Sequence, residues 1–149
     1  MFYVDIIIQS LGEYTEENFV KASTIYRQTV KEFIDSNKDF MIESNLADTR
    51  SYDWVSLVKS KNYDIVLYYL STDDIAINIG RVKRRVAEGG HDIPESIIRS
   101  RYSNSHSYLK TKLTLFKEVY LIDNSTDESQ IQVKLIDGTI VNKVNNLQN

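Results

Sequence analysis

Arginines placed around a glycine-containing turn are the residues of this sequence best suited to bind a phosphorylated ligand. Arg81 and Arg85 are four residues apart and therefore share one face of a helix, and Arg99 and Arg101 follow on the next predicted helix. Guanidinium groups match phosphate oxygens in charge and in geometry. Residues 81–102 are therefore predicted to form a lid that folds over a polyanion.

The turn inside this predicted lid contains Gly89 and Gly90. Glycine tolerates backbone angles that other residues avoid, so we expect a hinge there. An alternative stays open for Arg81 and Arg85, whose aliphatic stems can cover the apolar stripe of their helix while the charges face water. His91 is interpreted as a hydrogen-bonding loop residue, and no metal ligand is predicted.

Polar residues are also predicted at the carboxyl ends of strands, where ligands bind in open α/β sheets. Asp5 lies in the first strand region, Glu43 follows a short strand, and Asp123-Asn124-Ser125 follows the last core strand. A carboxylate there can accept a proton from a hydroxyl or hold Mg²⁺ through water. Singly, these residues are explained as turn or cap residues; together with the arginines they favour a phosphate site.

Strands and helices alternate along the chain, which predicts an α/β fold. The apolar run from Tyr63 to Leu70 is typical of a strand covered on both faces, as in a parallel sheet. Asp137-Gly138 between β-rich runs predicts a hairpin over about 130–145. The other predicted strands are 2–8, 40–42 and 119–122, and the predicted helices are about 15–36, 51–59, 75–86 and 94–116.

Composition limits the classes of function. The 149 residues carry a net charge of −3, which gives no reason to expect a nucleic-acid partner. There is no cysteine, which excludes disulfides and thiolate zinc sites, and the presence of only two histidines argues against a multi-histidine metal site. The apolar runs are too short to cross a bilayer and the N-terminus does not have the pattern of a signal peptide. We therefore expect a cytoplasmic protein with no membrane partner.

The predicted lid resembles a known family. Gly89-Gly90-His91-Asp92-Ile93-Pro94, followed by Arg99-Ser100-Arg101-Tyr102, is similar to the lid of zeta-toxin-like kinases, the group of predicted ABC-type ATPases. The resemblance extends to about residue 125. It implies that Arg81 and Arg85, in an R-V-x-x-R-V segment, and Arg99 and Arg101, in R-x-R-Y, contact nucleotide phosphate.

The same resemblance gives roles to residues near the N-terminus. Val4-Asp5 with Leu11-Gly12 is similar to the family segment N-x-D-E-I-A-x-x-L-G, which implies that Asp5 is the general base. Residues 42–47 resemble E-T-[TN]-L-[AS], which implies that Glu43, Ser44 and Asn45 bind the substrate. Asp123-Asn124-Ser125 matches the D-N-S that follows the last core strand.

The resemblance implies a kinase that phosphorylates a small molecule, UDP-sugar-like in the toxin branch, with ATP and Mg²⁺. It implies a three-layer α/β/α fold with a mainly parallel sheet, as in P-loop kinases. The sequence contains no G-x-x-x-x-G-K-[ST] loop, and the family's first strand and phosphate loop are expected before Asp5. Residues 1–149 are therefore interpreted as a single truncated domain, inactive as given and without tight ATP binding.

An alternative function remains open at this point. The chain can be a non-catalytic module that binds a nucleotide or a protein, as a homo-oligomer or with an antitoxin-like partner. The absent strand would lie beside the run Tyr63 to Leu70. We expect this gap to be closed by the two halves of the sheet, by a symmetric copy or by the hairpin at Asp137-Gly138.

Overall fold

The computed structural model describes residues 4–12 and 15–143, and the chain divides into two compact units, residues 1–45 and 46–149. The first unit contains α1 (Val4–Leu11) and α2 (Glu16–Asp35). The helix predicted from about residue 15 is present, and Thr15 caps it, since its hydroxyl accepts a hydrogen bond from the Asn18 backbone amide at 3.1 Å. The core of this unit is formed by Ile7, Ile8 and Ala22.

Two strand predictions in the first unit are wrong. Residues 4–8 of the predicted strand 2–8 belong to helix α1, and residues 2 and 3 lie outside the described residues. Ile7 and Ile8 bury their side chains against α2, and this packing outweighs the local β preference of the isoleucines. The predicted strand 40–42 is reduced to an isolated bridge at Ile42, and Met41 is exposed.

The second unit is built on a mixed four-stranded sheet, so the predicted α/β class is confirmed. The strands are β1 (Val66–Ser71), β2 (Glu118–Asp123), β3 (Gln130–Ile136) and β4 (Thr139–Lys143), in the order β1-β2-β3-β4. β1 and β2 are parallel, whereas β2–β3 and β3–β4 are antiparallel. The helices are α3 (Thr49–Ser60), α4 (Ile75–Ala87), α5 (Glu95–Lys112) and a 3₁₀ turn (Leu113–Leu115).

The two faces of this sheet differ in burial. On one face, Tyr69, Val119 and Leu135 pack with residues of α3 and α5, including Tyr52 and Leu109, in the main core. On the opposite face of β1, Val66, Tyr68 and Leu70 are 44%, 57% and 55% exposed. The prediction that the run 63–70 is covered on both faces is therefore wrong, although its strand is present from Val66.

Local signals in the sequence define most of the connections in the second unit. The Asp74 carboxylate accepts a hydrogen bond from the Ala76 amide at 2.8 Å and caps α4. Asp137 (φ 48°) and Gly138 (φ 77°) both adopt positive φ in the two-residue turn between β3 and β4, as a type I′ hairpin turn requires. The predicted hairpin is therefore present, and it extends away from β1 on the other side of β2. Residues 144 and 145 lie outside the described residues.

The glycine pair after α4 forms a Schellman cap. The Gly90 amide donates to the Arg85 carbonyl at 2.8 Å and the Gly89 amide to the Val86 carbonyl at 3.0 Å, while Gly89 adopts a φ of 87°. These bonds satisfy carbonyls at the end of the helix that would otherwise lack a partner. The pair thus stops α4 at a defined residue, and a hinge motion there stays a prediction.

None of the helices in the part of the chain that the structure describes is long and apolar enough to span a membrane.

Substitution by alanine is expected to have opposite effects on stability at Gly80, which lies inside α4, and at Gly90, which follows it. A Cβ at position 90 would lie 2.6 Å from Arg85 Cγ and 2.9 Å from the Arg85 carbonyl oxygen, whereas a Cβ at Gly80 meets nothing within 4 Å. We expect Gly90→Ala to lower the free energy of unfolding by about 1–3 kcal/mol through overpacking. Gly80→Ala should raise it by about 0.5–1 kcal/mol. Urea denaturation measures both, and an unchanged Gly90→Ala would contradict the close approach.

Tyr52 is buried in the main core with its hydroxyl unpaired among the described residues. Burial, with a smaller contribution from nearby Tyr69, raises the pKa of Tyr52 to about 12. Tyr52→Phe should therefore stabilise the fold by about 1 kcal/mol at pH 7, because it removes an unsatisfied polar group. Tyr52 ionises near pH 10 in the unfolded chain and near pH 12 in the folded chain. The free energy of unfolding should therefore fall as the pH rises across that interval in the wild type, and should fall less in Tyr52→Phe. Denaturant melts at pH 7 and pH 11 test both statements.

Candidate functional site

The candidate site lies at the carboxyl edge of the parallel strands β1 and β2. Their register places Ser71 beside Asp123, the last residue of each strand. The Asn124 amide then donates to the Ser71 carbonyl at 2.8 Å, so the chain leaving β2 is fixed to the end of β1. Because both strands end at the same edge, the polar residues that follow them are brought together, as the sequence predicted.

The strand-end turn, Asp123-Asn124-Ser125, is held by its own side chains. The Asp123 carboxylate accepts hydrogen bonds from the Ser125 amide at 2.9 Å and from the Ser125 hydroxyl at 2.5 Å. The Ser125 hydroxyl also accepts from the Asp73 amide at 2.9 Å and so links the loop after β1. The two bonds from Ser125 lower the pKa of Asp123 because they stabilise its ionised form.

Arg81 reaches this edge from α4. Its side chain is half-buried, and Nη2 donates to the Asn124 carbonyl oxygen at 2.7 Å. This is the one hydrogen bond of the Arg81 side chain among the described residues, so its other N–H groups are available for solvent or a ligand. Arg81 thus lies beside the turn at the carboxyl end of β2. Its contact with phosphate stays a prediction.

Arg85 is directed to the turn that follows its own helix. Its Nη2 donates to the His91 carbonyl oxygen at 2.9 Å, and its aliphatic stem lies against Gly90. The residue is exposed overall. Arg85 thus braces the beginning of the link between α4 and α5, which is a structural role that the sequence did not indicate.

The two arginines of α5 have acidic neighbours. Arg99 forms an exposed ion pair with Glu95, one turn earlier, at 2.7 Å. Arg101 is exposed, and its charge makes a small contribution to the lowered pKa of Asp48, which is caused mainly by the Ser51 amide. Within the described residues, hydrogen bonds and ion pairs do not join Arg99 or Arg101 to Arg81 or Arg85.

The remaining candidates belong to the first unit. Asp5 lies on helix α1, and not in the strand that the sequence predicted; its side chain is outside the described part of the structure. Glu43, Ser44 and Asn45 are exposed in an irregular segment that follows α2. The roles of Asp5 as a base and of the other three as substrate contacts stay predictions.

A polar network beside the site was missed from the sequence. The side-chain amide of Asn78 donates to the Thr72 hydroxyl at 2.6 Å, and the Tyr102 hydroxyl donates to the Thr72 carbonyl at 2.7 Å. His106 Nδ1 lies 2.7 Å from the Tyr102 carbonyl oxygen, and the rings of Tyr102 and His106 are 4.6 Å apart. The available signal was the position of Thr72 directly after a strand and of Asn78 and Tyr102 on the two helices that follow it. This network fixes α4 and α5 to the end of β1.

Acidic residues near the edge do not form a preassembled metal site. Among the described residues there is no group of three or more His, Asp or Glu side chains placed to hold a metal ion. The chemistry that the geometry of this edge supports is binding of an anion by the N–H groups of Arg81 that do not contact Asn124.

Comparisons with known proteins agree with the resemblance seen in the sequence. The family model described as zeta toxin matches residues 9–135. An uncharacterized protein of Haemophilus influenzae (strain Rd) is 30% identical over 82 residues, which are 55% of this chain and 56% of that protein. The chain thus spans little more than half the length of this curated relative. No solved structure matches the chain at a significant level.

The lowered pKa of Asp123 predicts how stability depends on pH. Because the folded pKa lies below the unfolded value of about 3.9, the carboxylate stabilises the fold above that pH, and the stabilisation is lost as pH falls through the folded pKa. The wild type should therefore be more stable than Asp123→Asn at pH 7, and the two should converge below pH ~4. Urea melts between pH 7 and pH 3 measure the difference. Asp127→Asn, an exposed acid in the same loop, is the control, and an equal pH effect in it would contradict the assignment.

Proposed function

The chain belongs to the zeta toxin family, and from this premise we propose that it derives from an ATP-dependent small-molecule phosphotransferase. In this proposal the second unit binds nucleotide phosphate at the carboxyl edge of β1 and β2. Such kinases accelerate phosphoryl transfer mainly by positioning groups and by stabilising negative charge, so the arginines are the informative residues.

The position of Arg81 is the observation that carries the proposal. Its guanidinium is fixed at the edge where two parallel strands end, by a 2.7 Å bond to the Asn124 carbonyl. That edge is where open α/β sheets bind their ligands. A neutral carbonyl uses part of the guanidinium, and the remaining donors match the oxygens of a phosphate group.

The other residues complete the proposal. Arg85, Arg99 and Arg101 add positive charge along α4 and α5, where it would attract a polyphosphate. From the resemblance of the sequence alone, we propose Asp5 as the base that accepts a proton from the acceptor hydroxyl, and Glu43, Ser44 and Asn45 as residues that bind a UDP-sugar-like acceptor. Mg²⁺ would neutralise charge on the phosphates when bound with ATP. Since the described residues contain no acidic cluster that fits the metal, no step here depends on it.

We further propose that these 149 residues bind ATP weakly. They contain no G-x-x-x-x-G-K-[ST] segment, and in P-loop kinases the amides and lysine of that segment supply much of the phosphate binding. A P-loop-kinase-like arrangement and the absence of catalysis by these 149 residues on their own belong to the same proposal. In these 149 residues the arginines are then the main source of phosphate affinity.

A second candidate is a non-catalytic protein-binding module, either a homo-oligomer or one with an antitoxin-like partner. One observation favours it: Val66, Tyr68 and Leu70 form an exposed apolar row on β1. Exposed apolar patches frequently mark protein interfaces. This candidate predicts no specific response to ATP, whereas the first predicts one that depends on Arg81.

Titration with ATP, followed by nuclear magnetic resonance, distinguishes the two candidates. We expect a dissociation constant in the millimolar range, which corresponds to about −4 kcal/mol. Arg81→Ala should weaken binding about ten-fold, because a charge-assisted hydrogen bond contributes about 1.5–3 kcal/mol. Lys83→Ala is the matched control, since Lys83 is an exposed cation two residues away on the same helix.

The outcomes separate specific binding from general charge attraction. An equal loss in Lys83→Ala would show that only net charge is felt and would remove the support for a site at Arg81. A micromolar dissociation constant would contradict the proposed weakness and indicate another phosphate cradle. Absence of any response to millimolar ATP would favour the protein-binding module.

A further inference from the structure

The backbone of Asn124 is held at both its N–H and its C=O group. Its amide donates to the Ser71 carbonyl at 2.8 Å, and its carbonyl accepts from Arg81 Nη2 at 2.7 Å. The first bond connects the Asp123–Asn124 peptide to the end of β1, and the second connects the Asn124–Ser125 peptide to α4. The direction of the Asn124 carbonyl therefore decides where the Arg81 guanidinium lies.

The Ser125 hydroxyl anchors the turn that contains the Asn124 carbonyl. The hydroxyl donates to Asp123 Oδ1 at 2.5 Å and accepts from the Asp73 amide at 2.9 Å. It thus joins the strand-end turn to the loop that precedes α4. A turn closed by an aspartate and anchored to a second loop has a restricted set of backbone angles.

We infer that the strand-end turn is a clip that sets the direction of the Arg81 guanidinium, with Ser125 as its positioning residue. Ser125 does not itself contact the ligand. It acts through the Asn124 carbonyl, and the expected ligand effect rests on the proposed function.

The physical benefit of the clip is preorganisation. A long arginine side chain loses conformational freedom when it binds a ligand, and this loss opposes binding. An arginine already directed by a fixed carbonyl has lost part of that freedom in the free protein. Removal of the clip should therefore weaken anion binding without removing any group that touches the anion.

Inorganic pyrophosphate is the probe for the test, titrated into the full chain. Ser125→Ala should weaken binding about five-fold, the effect expected from one ordinary hydrogen bond. In an Arg81→Ala background, Ser125→Ala should cause no further loss. Ser125→Thr, which keeps the hydroxyl, should restore most of the affinity.

A second readout does not depend on the ligand. The Nε–Hε resonance of Arg81, identified by its disappearance in Arg81→Ala, should be distinct from those of exposed arginines such as Arg84. In Ser125→Ala it should move toward their position. Ser129→Ala is the matched control, because the Ser129 hydroxyl donates to the Asn124 side-chain oxygen at 2.8 Å and not to the Asn124 backbone carbonyl.

Three results would overturn the clip. They are an unmoved Arg81 resonance in Ser125→Ala, the same affinity loss in the Arg81→Ala background, and an equal effect of Ser129→Ala, which would indicate general loosening of the loop. If the wild type binds no pyrophosphate, the proposed phosphate site fails, and the Arg81 resonance alone decides whether the clip exists. Thermal unfolding of each variant confirms that the comparison is made between folded proteins.

Discussion

The parallel pairing of β1 with β2 is the constraint on which the rest of the second unit depends. It places Ser71 beside Asp123 and so brings two loops to one edge of the sheet. The bonds from Asn124 to Ser71 and from Asp73 to Ser125 follow from that register. A shift of one residue would turn every side chain of β1 to the other face and would separate these groups. The candidate site is therefore a consequence of strand register as much as of residue type.

The same pairing produces two faces with different chemistry. On the core face, the Tyr69 hydroxyl is buried but is paired with Ser105 at 2.8 Å, so its burial is not penalised. On the exposed face, the rings of Tyr68 and Tyr120 stack with centroids 4.9 Å apart, and Lys134 lies over Tyr120. Stacking and the cation–π contact partly shield aromatic surface that would otherwise face water. This organisation explains how β1 can be apolar at nearly every position with only one face in the core.

The sequence predicts those parts of the fold that short-range chemistry determines. The helices that begin near residues 15 and 75 and the Asp137-Gly138 turn are predicted correctly, because Thr15, Asp74 and Gly138 each satisfy a backbone group or a backbone angle within a few residues. The helix at residues 4–11 was not, because a short run of isoleucines fits a buried strand or a buried helix equally well. Only packing against α2 decides between them. The exposed face of β1 was missed for a related reason, since hydrophobicity does not show whether a face is covered.

For the candidate site, the residue types in the sequence lead to the hypothesis of anion binding, and the structure shows how the contacts of the individual arginines differ. The sequence analysis selected Arg81 and the strand-end turn separately, and the structure shows that they are in contact. The sequence could not show what each guanidinium contacts, because an arginine bonds a carbonyl, a carboxylate or a phosphate with similar geometry. The bond from Arg85 to the His91 carbonyl is of this kind, and it depends on the turn that the two glycines form.

These contacts make the four candidate arginines unequal as ligands for an anion. Arg99 already has a carboxylate partner, so an anion must compete with Glu95 for its charge. Arg101 is exposed and close enough to Asp48 to affect its pKa, and a mobile exposed side chain loses more entropy on binding. Arg85 is bonded to the turn that it braces. Arg81 alone among the four combines a half-buried position at the strand ends with a single neutral acceptor. A charged phosphate oxygen forms a stronger hydrogen bond with a guanidinium than a carbonyl does. An anion should therefore gain most binding free energy at Arg81, where it displaces the fewest existing contacts.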